Sequence, residues 1–138
     1  MRAWKSILLA CLAAFALAGC ASTGKQMSEL ERSQYTWSAA IRWGDFEGAW
    51  NLVDPAYRDA RPMTELQFER YKQVQVSHYR ELASNAGETS ALREIEIGVV
   101  NRHTMAERTM RYTERWRYDA ARKAWFIEGG LPDFWAGE

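Results

Sequence analysis

The sequence predicts an α+β domain in which N-terminal helices pack on one face of a curved antiparallel sheet. Apolar residues recur at helical spacing from about residue 29 to 71, and after about residue 74 the period falls to two. Turn clusters at 84–88 and 119–123 divide the second half into strands joined by hairpins.

Taken in order, Ser28 is placed to cap a first helix, with Glu31 as its capping-box partner. Leu30, Trp37, Ala40 and Ile41 then fall on one face, giving a helix over 29–43 that Gly44 ends. Asp45 can cap a second helix, in which Phe46, Ala49, Trp50 and Val53 form an apolar stripe. Asp54-Pro55 closes it, because the residue before proline is pushed out of the helical region. Thr64 with Gln67 opens a third helix that runs through Leu66, Phe68 and Tyr71.

Val74, Val76, His78 and Arg80 share one parity, although a continued helix also fits residues 74–83. Beyond the Ser84–Glu88 turn, Ile95, Ile97 and Val99 line one face of a strand, and Glu94 and Glu96 the other. A longer strand over 106–118 sets Met110, Tyr112, Trp116 and Tyr118 against Thr109, Arg111, Thr113, Arg115 and Arg117. The Asp119–Lys123 loop leads into a last strand over 124–129, which Gly129, Gly130 and Pro132 terminate.

The N-terminus carries a different signal. Arg2 and Lys5 precede an apolar run from Ile7 to Leu17, and Leu17-Ala18-Gly19-Cys20 follows. This resembles the signal of bacterial lipoproteins, and an ordinary secretory signal cut at another small residue is the alternative. The resemblance implies cleavage after residue 19, acylation (palmitate among the chains) of Cys20 and attachment to the membrane through that lipid anchor. It implies three segments: a signal over 1–19, a flexible tether over 20–28 and a single domain over 29–138. Ala21 and Ser22 follow the cysteine where an aspartate would favour inner-membrane retention, so the expected location is the outer membrane of a Gram-negative cell envelope, facing the periplasm.

Composition excludes several function classes. The chain has 18 basic and 18 acidic side chains, with no basic block, so nothing argues for nucleic acid. Cys11 lies in the signal and lipidation would consume Cys20, leaving no thiol for a disulfide, a nucleophile or a metal site. No metal or cofactor is expected, since His78 and His103 are the only histidines and lack metal-ligand spacing. Trp37, Trp43, Trp50, Trp116, Trp125 and Trp135 supply large rings for a small core.

Two stretches, Ala40 to Pro55 and Tyr118 to Gly130, resemble the NTF2-like superfamily of cone-shaped α+β domains, in particular its small secreted lipoproteins. The first matches its helix–Gly–Asp–aromatic corner, the second its last hairpin. The resemblance implies a cone that is either filled by side chains or open as a pocket. Members include isomerases, dehydratases, ligand binders and interaction modules, so function rests on the site.

Glu114 shares parity with Tyr112 and Trp116, which puts an acid on an apolar face. It either lines a ligand pocket with Tyr112 and Trp116, or pairs with an arginine or a tyrosine hydroxyl, or sits at the rim. As a general base it would need His78 or His103 as partner, and His103 falls in a turn where exposure is expected. Arg111, Arg115 and Arg117 read as a solvated face offset by Glu94 and Glu96. Leu131 to Trp135 either folds back over the sheet or serves as a partner tag. The favoured reading is a non-enzymatic envelope lipoprotein that binds another envelope protein, with no catalytic residue assigned. A small-molecule or lipid-fragment binder is the alternative, an acid–base enzyme stands last, and a homodimer is open.

Overall fold

The computed structural model describes the backbone of residues 2–136 and the side chains of 22–136, so the signal and Cys20 lie outside the fully described residues. The chain runs α1 (Arg2–Trp43), α2 (Phe46–Trp50), α3 (Pro55–Ala60) and α4 (Glu65–Tyr71). Strands β1 (Val74–Ala86), β2 (Ser90–Asn101), β3 (Glu107–Asp119) and β4 (Ala124–Glu128) follow. They form one curved antiparallel sheet in the order β1-β2-β3-β4, so the expected α+β architecture is the one found. Among the described residues no helix is long and apolar enough to cross a membrane.

Gly44, at φ +73°, turns the chain out of α1, and Asp45 caps α2 by accepting from the Gly48 amide at 2.8 Å. A methyl group on Gly48 would meet the Asp45 carboxylate at 2.2 Å. Gly48→Ala is therefore expected to lower stability by about 1 kcal/mol through loss of the cap, read as a lower urea midpoint. Thr64 and Gln67 form the expected capping box of α4.

Several local readings change, the expected 84–88 turn among them, since β1 runs on to Ala86 and leaves only 87–89 to turn the chain. Residues 22–28, expected as a tether, continue α1. Trp125 Nε1 donates to the Gln26 carbonyl at 3.0 Å, and Met27 packs on the core beside buried Leu30. Tertiary contacts thus order a stretch with no periodicity of its own, and Ser28 Oγ donates back to the Gly24 carbonyl at 3.1 Å instead of capping. The second helix stops at Trp50, short of 53, because the next residues pair with β4: the Asp54 amide donates to Ile127 O and the Ile127 amide to Leu52 O, both at 2.9 Å. Asp54-Pro55 opens a helix rather than only ending one. Asp54 accepts from the Ala56 amide at 2.9 Å, and proline fits the first helical turn, where its missing N–H costs nothing.

The core lies between α1 and the concave face of the sheet. Leu30, Trp37 and Ile41 come from α1, Ile95, Ile97 and Val99 from β2, and Trp116, Trp125 and Ile127 from β3 and β4. Leu131 to Trp135 folds back, with Phe134 buried edge-on to Phe46 and Tyr71. The two sheet edges differ. Residues 52–54 cover β4, while β1 has a strand neighbour only on its β2 side.

Candidate functional site

The register of β2 with β3 sets Arg93 directly opposite Glu114, and Ala91 opposite Trp116. Both charged residues take the inward parity of their strands, so each interrupts an apolar face and they meet inside the domain. Arg93 Nη2 and Nε reach Glu114 Oε2 at 2.6 and 2.8 Å, and Trp116 Nε1 donates to the same oxygen at 3.0 Å. Tyr112 donates to Oε1 at 2.8 Å, and the Tyr79 hydroxyl bonds to that oxygen as well. Trp37 Nε1, from α1, donates to the Tyr112 hydroxyl at 3.2 Å, and Arg93 Nη2 reaches Ser38 Oγ at 3.1 Å.

The outer members fix the direction of this network. Indole and guanidinium groups only donate, so Tyr112 accepts from Trp37 and Tyr79 from Arg93 at 3.4 Å, each hydroxyl points its own proton at Glu114, and Glu114 is the final acceptor. Burial pushes the Glu114 carboxyl up to about 8, against the pull of the Trp116 and Trp37 donors. Burial also pushes the Tyr112 hydroxyl up and holds Arg93 below its ordinary range. The two-armed contact with Arg93 opposes the first of these shifts, and arginine keeps its proton in proteins, so Glu114 faces it as a carboxylate.

Of the expected trio, Glu114 and Trp116 are fully buried and Tyr112 is half-buried, and their polar atoms are spent on one another and on Arg93, Tyr79 and Trp37. Trp37 lies edge-on to Trp116 at 6.1 Å, filling the space over the sheet. Of the three outcomes open to Glu114, the structure selects pairing with both an arginine and tyrosine hydroxyls. Neither histidine joins it. His78 Nε2 lies 3.9 Å from Glu96, which also holds Arg80 at 2.6 Å and Arg111 at 3.6 Å, and His103 is exposed in its turn. Arg117 pairs with Asp54 at 2.6 Å and, more loosely, with Asp119 of its own strand at 3.8 Å.

Sequence reasoning passed over Arg93. The signal was present, since Arg93 has the parity of Ile95 and Ile97 just as Glu114 has that of Trp116.

Two adjoining hollows lie between α1 and the edge strand β1. A groove of about 590 Å³ is lined by Arg42 and Trp43 at the end of α1, by Val74, Val76 and His78 of β1, and by Arg102. It adjoins a second hollow of about 420 Å³, which shares Arg42, Trp43 and Tyr79 and extends along α1 past Ala39 to Tyr35. Trp43 is 87% exposed and Tyr35 77%, so two aromatic rings one turn on either side of Ala39 stand free along it. Arg42 Nη2 donates to the Tyr79 carbonyl at 3.0 Å, with its guanidinium 5.7 Å from the centre of the Tyr79 ring.

No family model matches the sequence, and no curated protein matches it. Among solved structures, the chain is similar to a SEC-C motif containing protein from Rhodopseudomonas palustris, with a TM-score of 0.56 and 20% identity over 75% of this chain and 76% of that one. It is also similar to a SEC-C motif containing protein from Psychrobacter arcticus, with a TM-score of 0.56 and 12% identity over 76% of this chain, but spans only 61% of that protein. These likenesses show a shared fold and nothing of function. The likeness to an NTF2-like family protein from Streptomyces avermitilis, at a TM-score of 0.43 and 10% identity over 80% of this chain and 99% of that one, carries no argument.

Proposed function

We propose that the chain is a non-enzymatic cell-envelope lipoprotein, anchored through Cys20, whose NTF2-like domain binds a partner protein through the α1–β1 groove. The observation that carries this reading is the contrast between interior and surface. The acid that would serve a pocket is consumed by its neighbours, whereas Trp43 and Tyr35 stand exposed along an open groove. Exposed aromatics of this kind are common anchors of protein interfaces. The helical course of residues 22–43 spans roughly 32 Å at 1.5 Å per residue. Because Leu30, Trp37 and Ile41 of this helix are in the core, anchorage at Cys20 would hold the whole domain, Trp43 included, by a helical connection rather than a loose tether.

Two measurements test it. Cells fed an alkyne fatty acid should label the wild-type chain and not Cys20→Ser; equal labelling of both would remove the anchor. A photo-crosslinker at Gln75, an exposed residue of the groove, should capture the same envelope protein repeatedly, and one at exposed Leu66 should not. Capture from both positions, or from neither, would remove the docking role.

A further inference from the structure

We propose that the occupant of the groove is a short, extended, acidic segment of the partner, laid along the free edge of β1 with a carboxylate at Arg42 and Arg102 and an apolar side chain against Trp43. This rests on the docking role proposed above and names the chemistry of what docks. Charge selects the sign of the occupant. The larger hollow presents Arg42 and Arg102, and none of its lining residues is acidic; the nearest acids behind it are Glu96, 3.9 Å from His78, and Glu107, which accepts from Ser77. The acids of the neighbouring hollow are Glu31 and Glu81, and Glu81 already holds Arg93 at 3.3 Å. Guanidinium groups at a groove mouth favour carboxylates, by attraction at a distance and by paired hydrogen bonds on contact.

The sheet selects the shape. β1 runs over 13 residues with a strand neighbour on one side only, so its outer side can take an added strand on either side of Tyr79, whose carbonyl Arg42 already holds at 3.0 Å. Its register against β2 is interrupted between Val76 and His78 and again between Glu81 and Ala83. The breaks divide β1 into regular stretches of three or four residues, 74–76, 78–81 and 83–86, so each pairs an added strand over a few residues only, which suits a short segment and discourages open-ended stacking of edges. Trp43 stands at the Arg42 end of the groove, where an apolar side chain flanking the carboxylate can cover its ring.

The probe is a capped hexapeptide of alternating valine and glutamate, titrated into the full chain in detergent and followed by tryptophan fluorescence. The lysine counterpart and decanoate serve as comparisons. The glutamate peptide should bind at least about tenfold more tightly than the lysine peptide. Arg42→Glu with Arg102→Glu should reverse that preference, and Trp43→Ala should weaken binding by about tenfold. Should the double charge reversal fail to fold, Arg102→Gln alone, at an exposed turn, should still weaken the glutamate peptide measurably. Three outcomes overturn the proposal: equal or absent binding of the two peptides, displacement of the glutamate peptide by decanoate, or a dimer of this chain that Trp43→Ala dissociates. If a crosslinker at Gln75 still captures one envelope protein while the glutamate peptide does not bind, only the acidic chemistry falls. If both fail, the docking role falls too.

Discussion

Glu114→Ala is expected to destabilise the domain by about 3–5 kcal/mol, the usual cost of stranding one member of a buried ion pair. The substitution leaves Arg93, itself buried, without its main partner, and removes the common acceptor of Tyr79, Tyr112 and Trp116. Glu114→Gln should cost nearly as much, because the amide keeps the shape but not the charge that balances Arg93. A glutamine variant as stable as wild type would show that Glu114 is neutral in the folded domain. Arg93→Met should be strongly coupled to Glu114→Gln, the double variant losing at least about 1 kcal/mol less than the two single losses added together. Chemical unfolding of the four proteins measures all of this. The pair is not interchangeable with an apolar one, since three neutral donors also converge on Glu114 and would be orphaned by a leucine.

The second large effect concerns Trp37, which is fully buried, edge-on to Trp116, and the donor that orients Tyr112. Trp37→Ala should cost about 3–5 kcal/mol, combining lost burial with a cavity beneath α1. Trp43→Ala, six residues further along the same helix, should move stability by less than about 0.5 kcal/mol, because its ring is 87% exposed. The contrast separates the two roles the helix plays: one tryptophan holds the domain together and the other faces outward.

Much of this was legible in the chain. The inward parity of β3 by itself puts Glu114 among aromatic residues, because side chains alternate strictly along a strand. The same rule applied to β2 reaches Arg93 from Ile95, and two opposite charges breaking two neighbouring apolar faces is the sequence signature of a buried pair. Residues 22–28 were not legible as helix, since what orders them is Trp125, distant in sequence. Nor was the end of α2, where pairing with β4 overrides a clean helical stripe. The outward aromatics were half-visible. Leu30, Trp37 and Ile41 define the buried face of α1, and Tyr35 and Trp43 each lie two residues, about 200°, away from a member of it. The groove they border depends on where α1 crosses the sheet, which periodicity does not encode.

The central claim is that the interior is structural and the α1–β1 groove does the binding. Its most direct test measures urea midpoint and recovery of the crosslinked envelope partner side by side, on Trp43→Ala and on the interior variant Tyr112→Phe, with the crosslinker at Gln75. Trp43→Ala should keep the wild-type midpoint and lose the partner, while Tyr112→Phe should lower the midpoint and keep the partner. A Trp43→Ala protein that retains the partner, beside a folded Tyr112→Phe protein that loses it, would place the function inside the domain and contradict the account.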